Sequence, residues 1–143
     1  MCAVYIYFSL MKIIDTILKI VLCLICAMPV AGVTGLLGEP TRELYNTDEA
    51  FAFIMMLTDT GYIVYINAVV FAAAIALIIT NRVALAALLI LPITVNIVSF
   101  HAFLDGGLFT AGALLGNVMF LINLYFLWKH RAQYERLWNR GSA

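Results

Sequence analysis

Four long stretches of this chain carry no charged residue: Ile20–Gly38, Thr60–Asn81, Val83–Leu104 and Gly106–Trp128, of 19, 22, 22 and 23 residues. An α-helix rises about 1.5 Å per residue and a bilayer's hydrocarbon core is about 30 Å thick, so about 20 apolar residues suffice to cross it. Unpaired peptide groups are too costly in hydrocarbon, which forces each stretch to be helical. The pattern predicts an all-α integral membrane four-helix bundle. Its helices are expected at about 13–37, 62–80, 83–104 and 108–128, with a short interfacial helix at about 48–57 and a basic tail over 129–143.

Composition points the same way. Hydrophobic residues make up 65% of the chain and charged ones 11%, against about 45–50% and about 25% in soluble domains. A soluble core of this size could not hide so much apolar surface, so residues 1–143 read as one membrane domain with the lipid bilayer as its first partner. No basic, aromatic-rich polar surface exists to take up nucleic acid.

The net charge of zero conceals an asymmetry. Lys12, Lys19, Arg82, Lys129, Arg131, Arg136 and Arg140 fall on one side of a four-pass arrangement, and only Arg42 on the other. The connections on that other side hold Glu39, Glu43, Asp48, Glu49, Asp59 and Asp105. The positive-inside rule then places both termini in the cytoplasm and the chain in the inner (cytoplasmic) membrane of a bacterium. Met11-Lys12 has the form of an alternative start, which makes Met1–Leu10 either a short apolar leader or an upstream extension of the first helix. The first segment is read as a retained helix, because Pro29 spoils a cleavage site at Ala31. Asp15 and Lys19, four apart, can pair on one of its faces.

Pro29, Gly32, Gly35 and Gly38 predict a kink near the far end of the first helix. Thr47-Asp48-Glu49 reads as a helix start, with Thr47 or Asp48 as the cap, followed by an apolar run too short to span. Small residues recur at four-residue spacing as Ala68, Ala72 and Ala76 in the second span and as Gly112 and Gly116 in the fourth, with Asn123 seven residues beyond Gly116. Such rows let backbones approach closely, and an Asn can hydrogen-bond across the contact. They serve packing within the monomer or against a partner. The end of the chain, 132–140, reads as an amphipathic surface helix with Tyr134 and Trp138 on one face.

His101 and Asp105 are the strongest candidates for chemistry. Four apart at the end of the third span, they share a face. A carboxylate fixes the tautomer of an imidazole and raises its basicity, which suits a proton acceptor at a quinone headgroup. The same pair can instead be a polar cap that bonds a neighbouring helix. Asn96 points about 140° away from His101 at about 100° per residue, too far to share its site. Cys23 and Cys26 have the spacing of a redox dithiol, yet they fall inside an apolar helix and read as inert buried thiols. They make no metal site with any nearby histidine. His101 and His130 belong near opposite faces and cannot clamp one haem. No metal and no required cofactor are expected, and a quinone is the one cofactor the residues leave open.

The run Leu91-Pro92-Ile93-Thr94-Val95-Asn96-Ile97, followed by Phe100-His101-Ala102-Phe103-Leu104-Asp105, resembles the DoxX-like membrane family, in which Pro-x-x-x-Asn leads into Phe-His-x-Phe-Leu-Asp. Thr60-Gly61-Tyr62, Asn81-Arg82 and Tyr125 through Arg131 fall in the family's order, so the resemblance covers about Gly32–Trp138. It implies a four-helix bundle and a place among proteins that include a membrane subunit of a thiosulfate:quinone oxidoreductase, components of redox-stress complexes and, distantly, a receptor-assembly chaperone. Many relatives carry a Glu in the second span where this chain has Phe71. A fold shared by such different proteins does not fix function. The sequence therefore supports a non-catalytic accessory subunit packed against other membrane-protein subunits, respiratory or redox-linked. The alternative is a quinone-interacting subunit of a membrane oxidoreductase that uses His101 and Asp105.

Overall fold

A computed structural model describes residues 2–138, and within them the side chains of 6–7 and 9–135. The chain forms α1 (Cys2–Gly32), a 3-10 turn (Arg42–Leu44), α2 (Asp48–Thr60), α3 (Tyr62–Ile79), α4 (Val83–Phe103), α5 (Ala111–Lys129) and α6 (Arg131–Trp138). Four stretches are long and apolar enough to cross a membrane: Ser9–Gly32, Tyr62–Ile79, Val83–Phe103 and Ala111–Lys129.

The element ends follow local chemistry. α1 runs upstream to Cys2. It stops at Gly32 rather than near 37. Gly35 takes a left-handed φ of +78°, and glycines are poor helix formers. Pro29 lies inside α1 and Pro92 inside α4. Of the two cap candidates for α2, Thr47 serves: its hydroxyl accepts from the Ala50 backbone N–H at 3.1 Å. Thr110 caps α5 in the same way, accepting from Ala113 N–H, which moves the helix start from about 108 to 111. The tight α3–α4 turn needs a left-handed residue, and Asn81 supplies it at φ +62°.

The spanning helices form a ring in the order α1, α3, α4, α5. The pairs α4–α5 and α1–α3 pack most extensively, α3–α4 joins them, and α1 closes sparsely on α5. The start of the α1 span and the end of α5 meet at one end of the ring. There Asp15 of α1 accepts a hydrogen bond from Tyr125 Oη at 2.7 Å and an ion-pair contact from Lys129 of α5. Lys19 turns instead to Asn81, donating to its Oδ1 at 2.9 Å. The expected Asp15–Lys19 pairing thus gives way to contacts between helices, because each charge finds a partner on a neighbour it packs against. At the opposite, acidic end, α2 folds back onto the bundle. Ala50 is fully buried and Phe53 stacks on Phe100 of α4 at 6.0 Å.

The core runs through Leu22, Ile25 and Cys26 of α1, Phe71, Ala74 and Ile78 of α3, Ala86, Ala87 and Ile90 of α4, and Met119, Ile122 and Phe126 of α5. Lipid tails are as apolar as these side chains, so what holds the helices together is close packing and hydrogen bonding rather than escape from water. The small alanines of α3 and α4 permit that closeness. One polar link crosses the core: Asn123 Nδ2 donates to Thr94 Oγ1 at 3.2 Å, and both residues are fully buried. The outward faces carry large apolar residues such as Val69, Ile79, Leu85, Leu114 and Leu121. So wide an apolar exterior suits contact with lipid. The expected tail helix is present as α6, while residues 139–143, and the side chain of Trp138, lie outside the described residues.

Candidate functional site

The last turns of α4 bring the expected pair together. His101 Nδ1 lies 2.8 Å from Asp105 Oδ2, and Asp105 is fully buried. α4 terminates just here because Gly106 and Gly107 adopt left-handed backbones, and Gly107 N–H bonds back to His101 C=O at 2.8 Å. That turn swings the Asp105 carboxylate back under the imidazole. Its other oxygen, Oδ1, accepts from the Asn46 backbone N–H at 2.7 Å. Thr47 adds a second tie between the connections by donating to the Leu104 carbonyl. A buried carboxylate is tolerable only when its lone pairs are occupied by donors, and Asp105 meets that condition from two directions.

The imidazole sits against a glycine face of α5. A Cβ on Gly112 would lie 3.4 Å from Asp105 Oδ2 and 3.7 Å from His101 Cε1. One on Gly116 would lie 3.6 Å from His101 Cδ2 and 3.8 Å from its Nε2, and only 2.6 Å from Ile97 Cγ2. The two glycines therefore leave room for the ring and for the close approach of α4. With Nδ1 turned to Asp105, Nε2 is the other ring nitrogen, and it has no hydrogen-bond partner among the described residues.

His101 borders an open cavity of about 490 Å³ lined by α1, α3, α4, α5 and the connection after α1. Pro29, Asn67, Phe71, Gly116 and Met119 line it, with Glu39 at the acidic end. A second cleft of about 380 Å³, on the α2 side, shares His101, Tyr45 and Asn67 with the first. The walls are mostly apolar with a few polar groups, the usual composition of a small-molecule site. Asn67, half-buried in α3, has no side-chain hydrogen bond among the described residues. Tyr45 packs edge-on to Phe100 at 6.4 Å. Burial, and then the nearby Asp105 charge, push its phenol above the usual range, so it stays protonated.

The other sequence candidates divide. Gly112, Gly116 and Asn123 all lie on the side of α5 that meets α4. In α3, Ala68 is buried but Ala72 and Ala76 are exposed; the inward positions one turn on are Phe71, Ala74 and Ile78. Ala72 and Ala76 therefore take no part in packing within the monomer. Asn96 is exposed and absent from the larger cavity, but it lines the α2-side cleft together with His101, so their separation around the helix does not keep them from one cleft. Cys23 is half-buried and Cys26 fully buried, both as free thiols. No group of three or more metal-ligating side chains occurs among the described residues.

Three contributors are new. Asn67 was legible as the lone polar side chain inside the stretch 62–79. Tyr45 and the Asn46 backbone N–H reach the site only through folding of the α1–α2 connection, which no local spacing announces. No family model matches the chain, and no curated protein or solved structure matches it.

Proposed function

We propose that this chain is a small multi-pass subunit that binds a quinone-type lipophilic carbonyl compound in the cavity beside His101. One observation carries the reading: an imidazole that lines an apolar cavity, with its Nδ1 held by a fully buried carboxylate and its Nε2 without a hydrogen-bond partner among the described residues. Nε2 would hydrogen-bond a ligand carbonyl or hydroxyl group, with Asp105 holding the ring in place through Nδ1. Asn67 offers a second polar contact across the cavity. The resemblance to the DoxX-like family, with its quinone-linked members, supports the same class of ligand. Phe71 stands where many relatives have Glu, so the site lacks that acid and the reading is of binding rather than of proton-coupled quinone chemistry by this chain alone. The positive-inside count supports a bacterial inner membrane as the location, with the basic end cytoplasmic and the His101 end outward.

The accessory-subunit reading keeps one specific support. Asn96 is exposed within the apolar span of α4 and has no side-chain hydrogen bond among the described residues. An amide in hydrocarbon gains from a partner helix that can bond it. The two readings are compatible, since a ligand-holding subunit can serve a larger redox assembly.

The test is titration of the full-length protein in nanodiscs with decylubiquinone. His101→Leu should weaken binding by about three- to tenfold, the worth of one hydrogen bond. His101→Gln, which still bonds, should fall between. A folded His101→Leu protein that binds as the parent does would reduce the His101–Asp105 pair to a structural cap.

A further inference from the structure

We propose that the basic end of the bundle holds a second site, for the phosphate of an anionic phospholipid, between α6 and the α3–α4 turn. A cavity of about 360 Å³ lies there, with Arg82, His130 and Gln133 on its polar side and Leu85 and Leu88 of α4 on its apolar side. It is far from His101, at the opposite end of the same helix.

The cations of this end are unequally committed. Lys129 is paired with Asp15, and Lys19 donates to Asn81. Arg131 lies over the Trp128 ring at 4.7 Å and donates to the Trp128 carbonyl. Arg82, exposed in the turn, has neither an ionic partner nor a side-chain hydrogen bond among the described residues. The guanidinium fork matches a phosphate's oxygens.

His130 and Gln133 add neutral donors. Gln133 Nε2 lies 3.2 Å from His130 Nδ1. An amide N–H donating there makes Nδ1 the acceptor and leaves the ring proton on Nε2. Burial, then the charges of Lys129 and Lys19, hold His130 below the usual imidazole range, so it stands as a neutral donor in a locally positive field. α6 is fixed in position by Tyr134, whose hydroxyl donates to the Ala84 carbonyl at 2.8 Å. The apolar wall decides between a free anion and a lipid. Leu85 is 52% exposed and Leu88 38%, and they continue the cavity along α4 into the span, where an acyl chain would lie.

Native mass spectrometry of the full-length protein in mild detergent tests this with dioleoyl phosphatidylglycerol and dioleoyl phosphatidylcholine. The protein should retain phosphatidylglycerol preferentially, and Arg82→Gln should cut that retention by about five- to tenfold, the usual worth of one basic side chain at a charged membrane surface. Lys12→Gln, which removes a cation outside the cavity, should leave it unchanged. Gln133→Ala, outside the tight turn, should also lower retention and serves if Arg82→Gln does not fold. Equal retention of the two lipids, or undiminished retention in folded Arg82→Gln and Gln133→Ala, would overturn the proposal. So would complete displacement of the lipid by millimolar inorganic phosphate, which would assign the site to a free anion.

Discussion

Gly116→Ala gives the sharpest test of how α4 and α5 meet. The added Cβ would stand 2.6 Å from Ile97 Cγ2, whereas carbon atoms rest about 3.5–4.0 Å apart. The helices must separate by roughly 1 Å or Ile97 must leave its rotamer. In a helix the β-branched side chain has one strongly preferred χ1 and little freedom to turn away. Overpacking of this kind costs about 1–3 kcal/mol. Gly112→Ala, one turn earlier on the same helix, is the matched control: its Cβ would meet Asp105 Oδ2 at 3.4 Å and His101 Cε1 at 3.7 Å, ordinary contact distances. Both variants make the same change of backbone freedom, so their difference isolates the clash. Reversible unfolding in mixed micelles, followed by far-UV circular dichroism, should show Gly116→Ala less stable than Gly112→Ala by about 1–3 kcal/mol. Adding Ile97→Ala to Gly116→Ala should recover most of that difference. Equal stability of the two glycine variants would mean that α4 and α5 do not approach as described.

Asp105→Asn should destabilise the protein by about 1–3 kcal/mol, because the amide cannot satisfy both Asn46 N–H and His101 Nδ1–H as a carboxylate does; unfolding in the same micelles reads it, and an unchanged midpoint would contradict the buried network. Replacing Cys23 and Cys26 together with Ala should leave decylubiquinone binding unchanged, and a reversible Cys23–Cys26 disulfide found by mass spectrometry of native membranes would show the opposite. Single cysteines placed at Glu43 and at Gln133 should label from opposite sides of the membrane, the first from outside and the second from the cytoplasm; labelling from the same side would end the four-pass arrangement.

The sequence made the spans legible because an uncharged run of about 20 residues has few alternatives to a helix across a bilayer. It made His101–Asp105 legible because an i,i+4 pair is local geometry. The faces of α3 were another matter. A helix apolar all round has no polar side to mark what is turned outward, so Ala68, Ala72 and Ala76 looked equivalent although only Ala68 is buried. Glycines fared better than alanines, since Gly112 and Gly116 sit where a larger residue would meet His101 or Ile97. The contributions of Asn46 and Tyr45 depended on where a connection closes, which is set by tertiary contacts such as Thr47 to Leu104.

The uneven closure of the helix ring has a consequence for the surrounding bilayer. α1 and α5 are clasped at the basic end by Asp15, Tyr125 and Lys129, while toward the acidic end the cavity comes between Met28 and Pro29 of α1 and Leu115 and Gly116 of α5. The pair is thus joined like a hinge, and α1 and α5 can part toward the acidic end while the basic end stays tied. A lipid chain or ligand that entered between them there would widen the ring at that end alone.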